Sequence, residues 1–155
     1  MQVLSAEHYA RLQRLARLYQ QRHAKEIKRH PRRNPHLTVD MLCFQPLPDG
    51  RPEKGELVGA LLTPVSLSLA VVTAQPRPIP FPEHEGSEWL VGLANGRYPF
   101  ILETLGESEW LWHCSLLDDV SDIDTLQEAN RLAQQLIERV MSEPGPSPTQ
   151  SSTGR

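Results

Sequence analysis

Gly59-Ala60-Leu61-Leu62-Thr63-Pro64-Val65-Ser66-Leu67-Ser68-Leu69-Ala70-Val71-Val72 is the stretch from which the fold can be read. Two apolar, strand-like runs meet at Thr63-Pro64. Neither carries a charge, so each is buried in a core or covered by a partner. Proline has no N–H to give to a ladder, so Pro64 marks a corner, a bulge or an edge. Gly59 inside the first run signals a bulge or a close backbone approach. The strands expected here are Glu56 to Thr63 and Val65 to Thr73.

Upstream, His36 to Phe44 alternates, with Leu37, Val39, Met41 and Cys43 on one apolar face. Before it, Tyr9, Leu12, Leu15, Ala16 and Tyr19 recur at helical spacing behind a Ser5 cap, and the helix stops ahead of Pro31. Downstream, Pro76, Pro78, Pro80 and Pro82 predict an extended surface loop running to Gly86. Trp89 to Leu93 is a strand with a turn at Asn95-Gly96, and Arg97 to Thr104 pairs with Glu109 to Leu117 around Leu105-Gly106-Glu107-Ser108. A last helix starts near Ser121 or Asp122, with Leu126, Ala129, Ala133, Leu136, Ile137, Val140 and Met141 as its apolar face. The sum is an α+β, two-layer domain: N-terminal helix, antiparallel sheet of five or six strands, C-terminal helix. It occupies residues 1–143, and residues 144–155 read as a disordered Pro/Ser-rich tail.

A chain of 155 residues with 39% hydrophobic and 23% charged content fits one globular domain. Its net charge of -3 conceals a polarity. The first 33 residues are crowded with Arg and Lys, whereas Glu103 to Asp124 carries seven acids and no base. Lys28-Arg29-His30-Pro31-Arg32-Arg33 has neither a nucleic-acid motif nor interleaved aromatics, so it reads as a solvated helix end or one docked near the acidic segment. No apolar run approaches the ~20 residues needed to span a bilayer. The Met1 to Leu4 stretch, followed at once by Ser5, Glu7 and His8, lacks signal-peptide form. Cys43 and Cys114 are too few for a disulfide scaffold, and the expectation is two reduced thiols in the cytoplasm.

No catalytic constellation emerges. His113 and Cys114 are strand neighbours and point to opposite faces, so they do not form a nucleophile–base pair. The histidines and cysteines lack metal-ligand spacing, and Asp118, Asp119, Asp122 and Asp124 lack the calcium-loop pattern. The expectation is no catalytic residue, no metal and no cofactor. Trp110 and Trp112 share one strand face. With Trp89 they supply either a protein-binding patch or core packing under the helices.

Asn34-Pro35-x-Leu37, Gly59-x-x-x-Thr63-Pro64-x-x-Leu67, Asn95-Gly96 followed by Phe100, and Cys114-Ser115-Leu116 together resemble the HybE/HupJ family of nickel–iron hydrogenase assembly chaperones. The likeness covers most of the chain from Asn34 to the final helix. Val65 stands where the family usually has tryptophan, and Leu117-Asp118-Asp119 where it usually has a serine-proline pair. The resemblance implies a cytoplasmic, non-catalytic protein that binds hydrogenase large- and small-subunit precursors before twin-arginine export, with no nucleic acid and no stable membrane insertion. The client-binding surface expected on that basis is Thr63, Pro64, Ser66, Leu67, Trp112, Cys114, Ser115 and Leu116. Leu67→Asp is expected to abolish capture and leave the fold intact. The alternatives are a general secretion-type chaperone and a thiol-dependent enzyme using Cys114.

Overall fold

The computed structural model describes residues 4–47, 55–73, 86–106 and 109–142. The proline-rich loop expected over Pro76 to Pro82 and the tail 144–155 lie outside them. Two helices and six strands follow in the order α1 (Ala6–Arg29), β1 (Asp40–Pro46), β2 (Glu56–Leu62), β3 (Leu67–Thr73), β4 (Glu88–Leu93), β5 (Gly96–Thr104), β6 (Trp110–Leu117) and α2 (Leu126–Val140). The strands form one sheet in the order β1-β2-β3-β6-β5-β4, and every neighbouring pair is antiparallel.

The α+β class, the flanking helices and the strand count are those expected. The layering is one step richer, because the helices take opposite faces. Leu12, Leu15 and Ala16 of α1 pack with Leu57, Leu61, Ala70, Val72 and Leu111. Ala129, Ala133, Ile137 and Val140 of α2 pack with Val58, Ala60, Leu62, Leu69, Phe100 and Trp112. Successive strand residues point to opposite faces, so β2 and β3, covered by both helices, are buried at all seven positions of each. That is why the opening stretch lacks polar alternation. Fully buried Ala129 and Ala133 let α2 lie close to the sheet.

Ser5 caps α1: its Oγ accepts the His8 N–H at 3.2 Å, and His8 Nδ1 accepts the Ser5 N–H at 3.1 Å. Lys28 and Arg29 close the last turn, where the helix dipole favours cations. Tyr9, expected on the apolar stripe, is 54% exposed. α2 begins five residues after Ser121, capped by Thr125, whose Oγ1 accepts from Glu128 N at 3.0 Å. The carbonyls of Val120 and Ile123 are taken by the Asn34 side chain at 2.8 Å each, and the chain turns there before the helix can start.

β1 departs from the expected alternation. Leu42 pairs with Ala60 and Gln45 with Val58, so Cys43 and Phe44 together oppose Gly59. Cys43 takes the extra position in the left-handed region at φ 61° and turns outward. Phe44 replaces it on the buried face beside Met41. A side chain at residue 59 would place its Cβ 2.3 Å from Phe44 Cδ1. The close approach suggested by Gly59 is real, and the bulge lies on the strand opposite.

Candidate functional site

Apart from Trp112, which pairs with Val71 further along the ladder, the sequence-predicted residues lie at one end of the sheet, but they are not equally accessible. Thr63 to Ser66 is the β2–β3 turn. Thr63 Oγ1 accepts from Val65 N at 3.0 Å and Ser66 N at 2.9 Å, and Thr63 N donates to Ser66 O at 2.9 Å. Pro64 is buried, and its carbonyl accepts from Asn34 N at 2.8 Å. Asn34, only 2% exposed, therefore fastens this turn to the Val120–Ile123 loop through its side-chain amide. Thr63 and Pro64 build the turn, and its half-buried tip is Val65 and Ser66.

Across the ladder, Ser68 pairs with Ser115 and Leu69 with Cys114, with a bulge at Leu116 because Leu67 pairs with Leu117. Ser115 is exposed, and its hydroxyl donates to Asp118 Oδ1 at 2.5 Å. Leu116 is half-buried. Leu67 and Trp112, in contrast, are 1% and 3% exposed. Both belong to the α2-side core, where Trp112 meets Trp89 edge-on with ring centroids 5.2 Å apart. Trp110 is buried in the same cluster, so the tryptophans are packing residues. Leu67→Asp would place a carboxylate in that core and unfold the protein, so the variant cannot report on a surface.

Cys114 is half-buried against the same cluster, and burial pushes its thiol up from the ordinary value. The His113 ring points to the opposite face, where its Nε2 lies 3.1 Å from Glu103 Oε1. A nucleophilic thiolate needs the reverse of both features. Alkylation of Cys114 at neutral pH is expected to run no faster than that of an unperturbed thiol. Rapid, selective labelling would contradict this.

A polar cluster that the sequence did not betray sits on the α1 face. Buried Glu103 receives His113, Arg22 Nε at 3.2 Å, and a short hydrogen bond from His23 Nε2. His23 Nδ1 in turn lies 2.9 Å from Glu26 Oε1, and Tyr19 stacks on its ring at 4.2 Å. Desolvation works to raise the Glu103 pKa, but the His113 and His23 hydrogen bonds outweigh it and hold the value down at about 2. The Glu103 hydrogen bond raises His23. Burial, helped by Glu103 and Glu26, pushes Tyr19 up to about 12. Arg22, His23, Glu26, Glu103 and His113 line an open cleft of about 480 Å³ beside Gly86 and Ile101. Among the described residues no group of three or more His, Cys, Asp or Glu is arranged to hold a metal.

The signs fix a pH dependence. His23 is raised in the folded state, so its contribution is complete below its unfolded value and is lost as pH rises through the folded one. Glu103 is depressed, so its contribution is complete above 4.5 and is lost as pH falls toward about 2. Stability should be highest near pH 5–6.5 and decline on the alkaline side. Glu103→Gln should flatten that alkaline slope in urea melts taken across pH. An unchanged slope would show that the cluster is not responsible.

The basic run at and beyond the end of α1 does dock on the acidic segment, through Arg32. Arg32 pairs with Asp119 and donates to Ser121 Oγ at 3.1 Å. Ser121, and then Arg32, hold the Asp119 carboxyl well below the usual range. No described helix is long and apolar enough to cross a membrane.

Over residues 10–155 the chain matches the protein family described as NiFe-hydrogenase assembly, chaperone, HybE. The chain belongs to the HybE family. The motifs from Asn34 to Leu116 fall inside that match, and so does the turn-and-strand end that they build. A solved structure, the solution structure of HybE from Escherichia coli, is similar at 21% identity with a TM-score of 0.54. The alignment covers 68% of this chain and 61% of that one, and it shows a shared fold. No curated protein matches the chain.

Proposed function

We propose that this protein is a non-catalytic, cytoplasmic chaperone that holds immature large and small subunits of a NiFe hydrogenase until their assembly is complete, before twin-arginine export. The family match over residues 10–155 carries the reading. Holding only the unfinished client requires a surface with higher affinity for the immature state, since a ligand shifts an equilibrium only by its differential affinity. The accessible part of the predicted site supports this role: half-buried Ser66 at the turn tip, exposed Ser115 and half-buried Leu116, all at one end of the sheet. The burial-raised Cys114 thiol, turned away from His113, speaks against the thiol-dependent alternative.

The test is co-expression of a tagged chain with hydrogenase large- and small-subunit precursors, followed by affinity purification. Immature subunits should be recovered and the mature enzyme should not. Recovery of many unrelated unfolded proteins would favour a general secretion-type chaperone, and recovery of no hydrogenase subunit would refute the reading.

A further inference from the structure

The sheet has a break in its middle. β5 and β6 pair only from Ile101↔His113 to Thr104↔Trp110, although β5 extends back to Gly96 and β6 on to Leu117. The register explains where pairing stops. Leu105 N donates to Glu109 O at 2.9 Å, while Leu102 N donates the other way, to Ser87 O, at 2.9 Å. Odd residues of β5 therefore face β6, and even ones face β4. Stepping by two from 105/109 gives 103/111, then 101/113, then Pro99 opposite Ser115. Pro99 has no N–H to give. The ladder ends there, and the Ser115 N–H and C=O point into the gap, because the alternate residues Trp112 and Cys114 face β3.

The gap is also held open mechanically. At the tip of the β4–β5 hairpin, Asn95 N donates to Val140 O at 3.0 Å and Asn95 Nδ2 to Arg139 O at 3.1 Å. The hairpin is thus anchored on the C-terminal end of α2 while the end of β6 stays on β3. Between them lies a notch with Ser115 on one wall and Arg97 to Pro99 on the other. Ser115 and Pro99 are both exposed, and Asp118 stands beside the notch, its Oδ1 accepting the Ser115 hydroxyl.

We infer that this notch takes up an extended segment of a client polypeptide, which adds its backbone alongside β6 and exchanges hydrogen bonds with Ser115. The inference rests on the chaperone reading above and names how the client is held. Backbone pairing requires an extended segment with a free N–H at the position facing Ser115. The Asp118 carboxylate beside Ser115 favours one with Lys or Arg where it leaves the notch.

Two substitutions act on the pairing from opposite walls. Ser115→Pro deletes the amide that faces the notch. Pro99→Val supplies the N–H that β5 lacks, letting the chain's own ladder close over Ser115. Ser115→Ala keeps the amide and removes only the hydroxyl bond to Asp118. With immature large- and small-subunit precursors as probes, Ser115→Pro and Pro99→Val should each weaken capture by roughly tenfold or more, and Ser115→Ala should not. Residue-resolved hydrogen exchange should find the Ser115 amide fast in the client-free protein and slow with client bound or in Pro99→Val.

A folded Pro99→Val that captures as the wild type does would overturn the inference and leave the chaperone reading intact. A Ser115 amide already slow in the client-free wild type would overturn it too, because a second copy or another segment of this chain would then fill the notch. A wild type that captures neither precursor would remove the reading and the inference together.

Discussion

Glu109→Leu is expected to cost about 3–5 kcal/mol, the usual penalty for stranding one member of a buried ion pair. Arg11 and Glu109 are 8% and 5% exposed and face each other across α1 and the start of β6. Two parallel bonds join them, Nη1 to Oε2 at 3.0 Å and Nη2 to Oε1 at 2.9 Å. Two further donors of Arg11 reach Thr73 O at 2.8 Å and Thr73 Oγ1 at 2.9 Å, so the guanidinium ties α1 to the end of β3 as well. Without Glu109, Arg11 retains its charge and its burial but loses its counter-ion. In a chain of this size the melting temperature should fall by roughly 6–20 °C. The double variant Arg11→Met/Glu109→Leu should recover much of the loss, since two apolar side chains leave no stranded charge. A Glu109→Leu protein that melts with the wild type would show that the pair contributes nothing to holding α1.

Gly59→Ala is the second large effect, and its cause is steric. The new Cβ would lie 2.3 to 2.7 Å from three Phe44 ring atoms, far inside van der Waals contact. Phe44 cannot withdraw easily, because the bulge at Cys43 aims it at the α1-side core among Met41, Leu57 and Leu61. Either the ring leaves its position or β1 parts from β2, at a cost of about 2–3 kcal/mol. Phe44→Leu should partly rescue Gly59→Ala by vacating the ring plane. A Gly59→Ala protein with an unchanged urea midpoint would mean that β1 slips freely along β2. The bulge yields a smaller prediction of opposite sign: Cys43→Gly should stabilise slightly, because glycine accepts φ 61° without strain.

What the sequence disclosed and what it hid divide by the range of the interaction. The two uncharged runs around Thr63-Pro64 announced a pair of buried strands, though not the second covering layer, and Asn95-Gly96 announced the next hairpin. Both are local signals, set by residues adjacent in the chain. The start of α2 was misplaced because Asn34, some 86 positions from Val120, claims the carbonyls that an earlier helix would use. Cys43 was assigned to the buried face because a bulge shifts the period of two by one residue, and the cause, Gly59, is on the next strand.

The candidate site shows the same division. Its motifs fall largely at one end of the sheet but do not separate the residues that build that end from those that face outward. Thr63, Pro64, Leu67 and Trp112 are structural by burial, whereas Ser66, Ser115 and Leu116 have accessible surface. The Glu103 cluster joins residues more than 90 apart in α1, β5 and β6, and only the folded register brings them together. Pro99 was visible in the sequence, but its effect depended on knowing that its missing N–H faces β6.

The central claim is a preference for unfinished clients, so the most direct measurement is the affinity of the purified chain for immature and for mature hydrogenase subunits under one set of conditions. The account predicts at least about 100-fold tighter binding of the immature form, or about 2.7 kcal/mol of differential affinity. Equal affinities, or tighter binding to the mature enzyme, would contradict it.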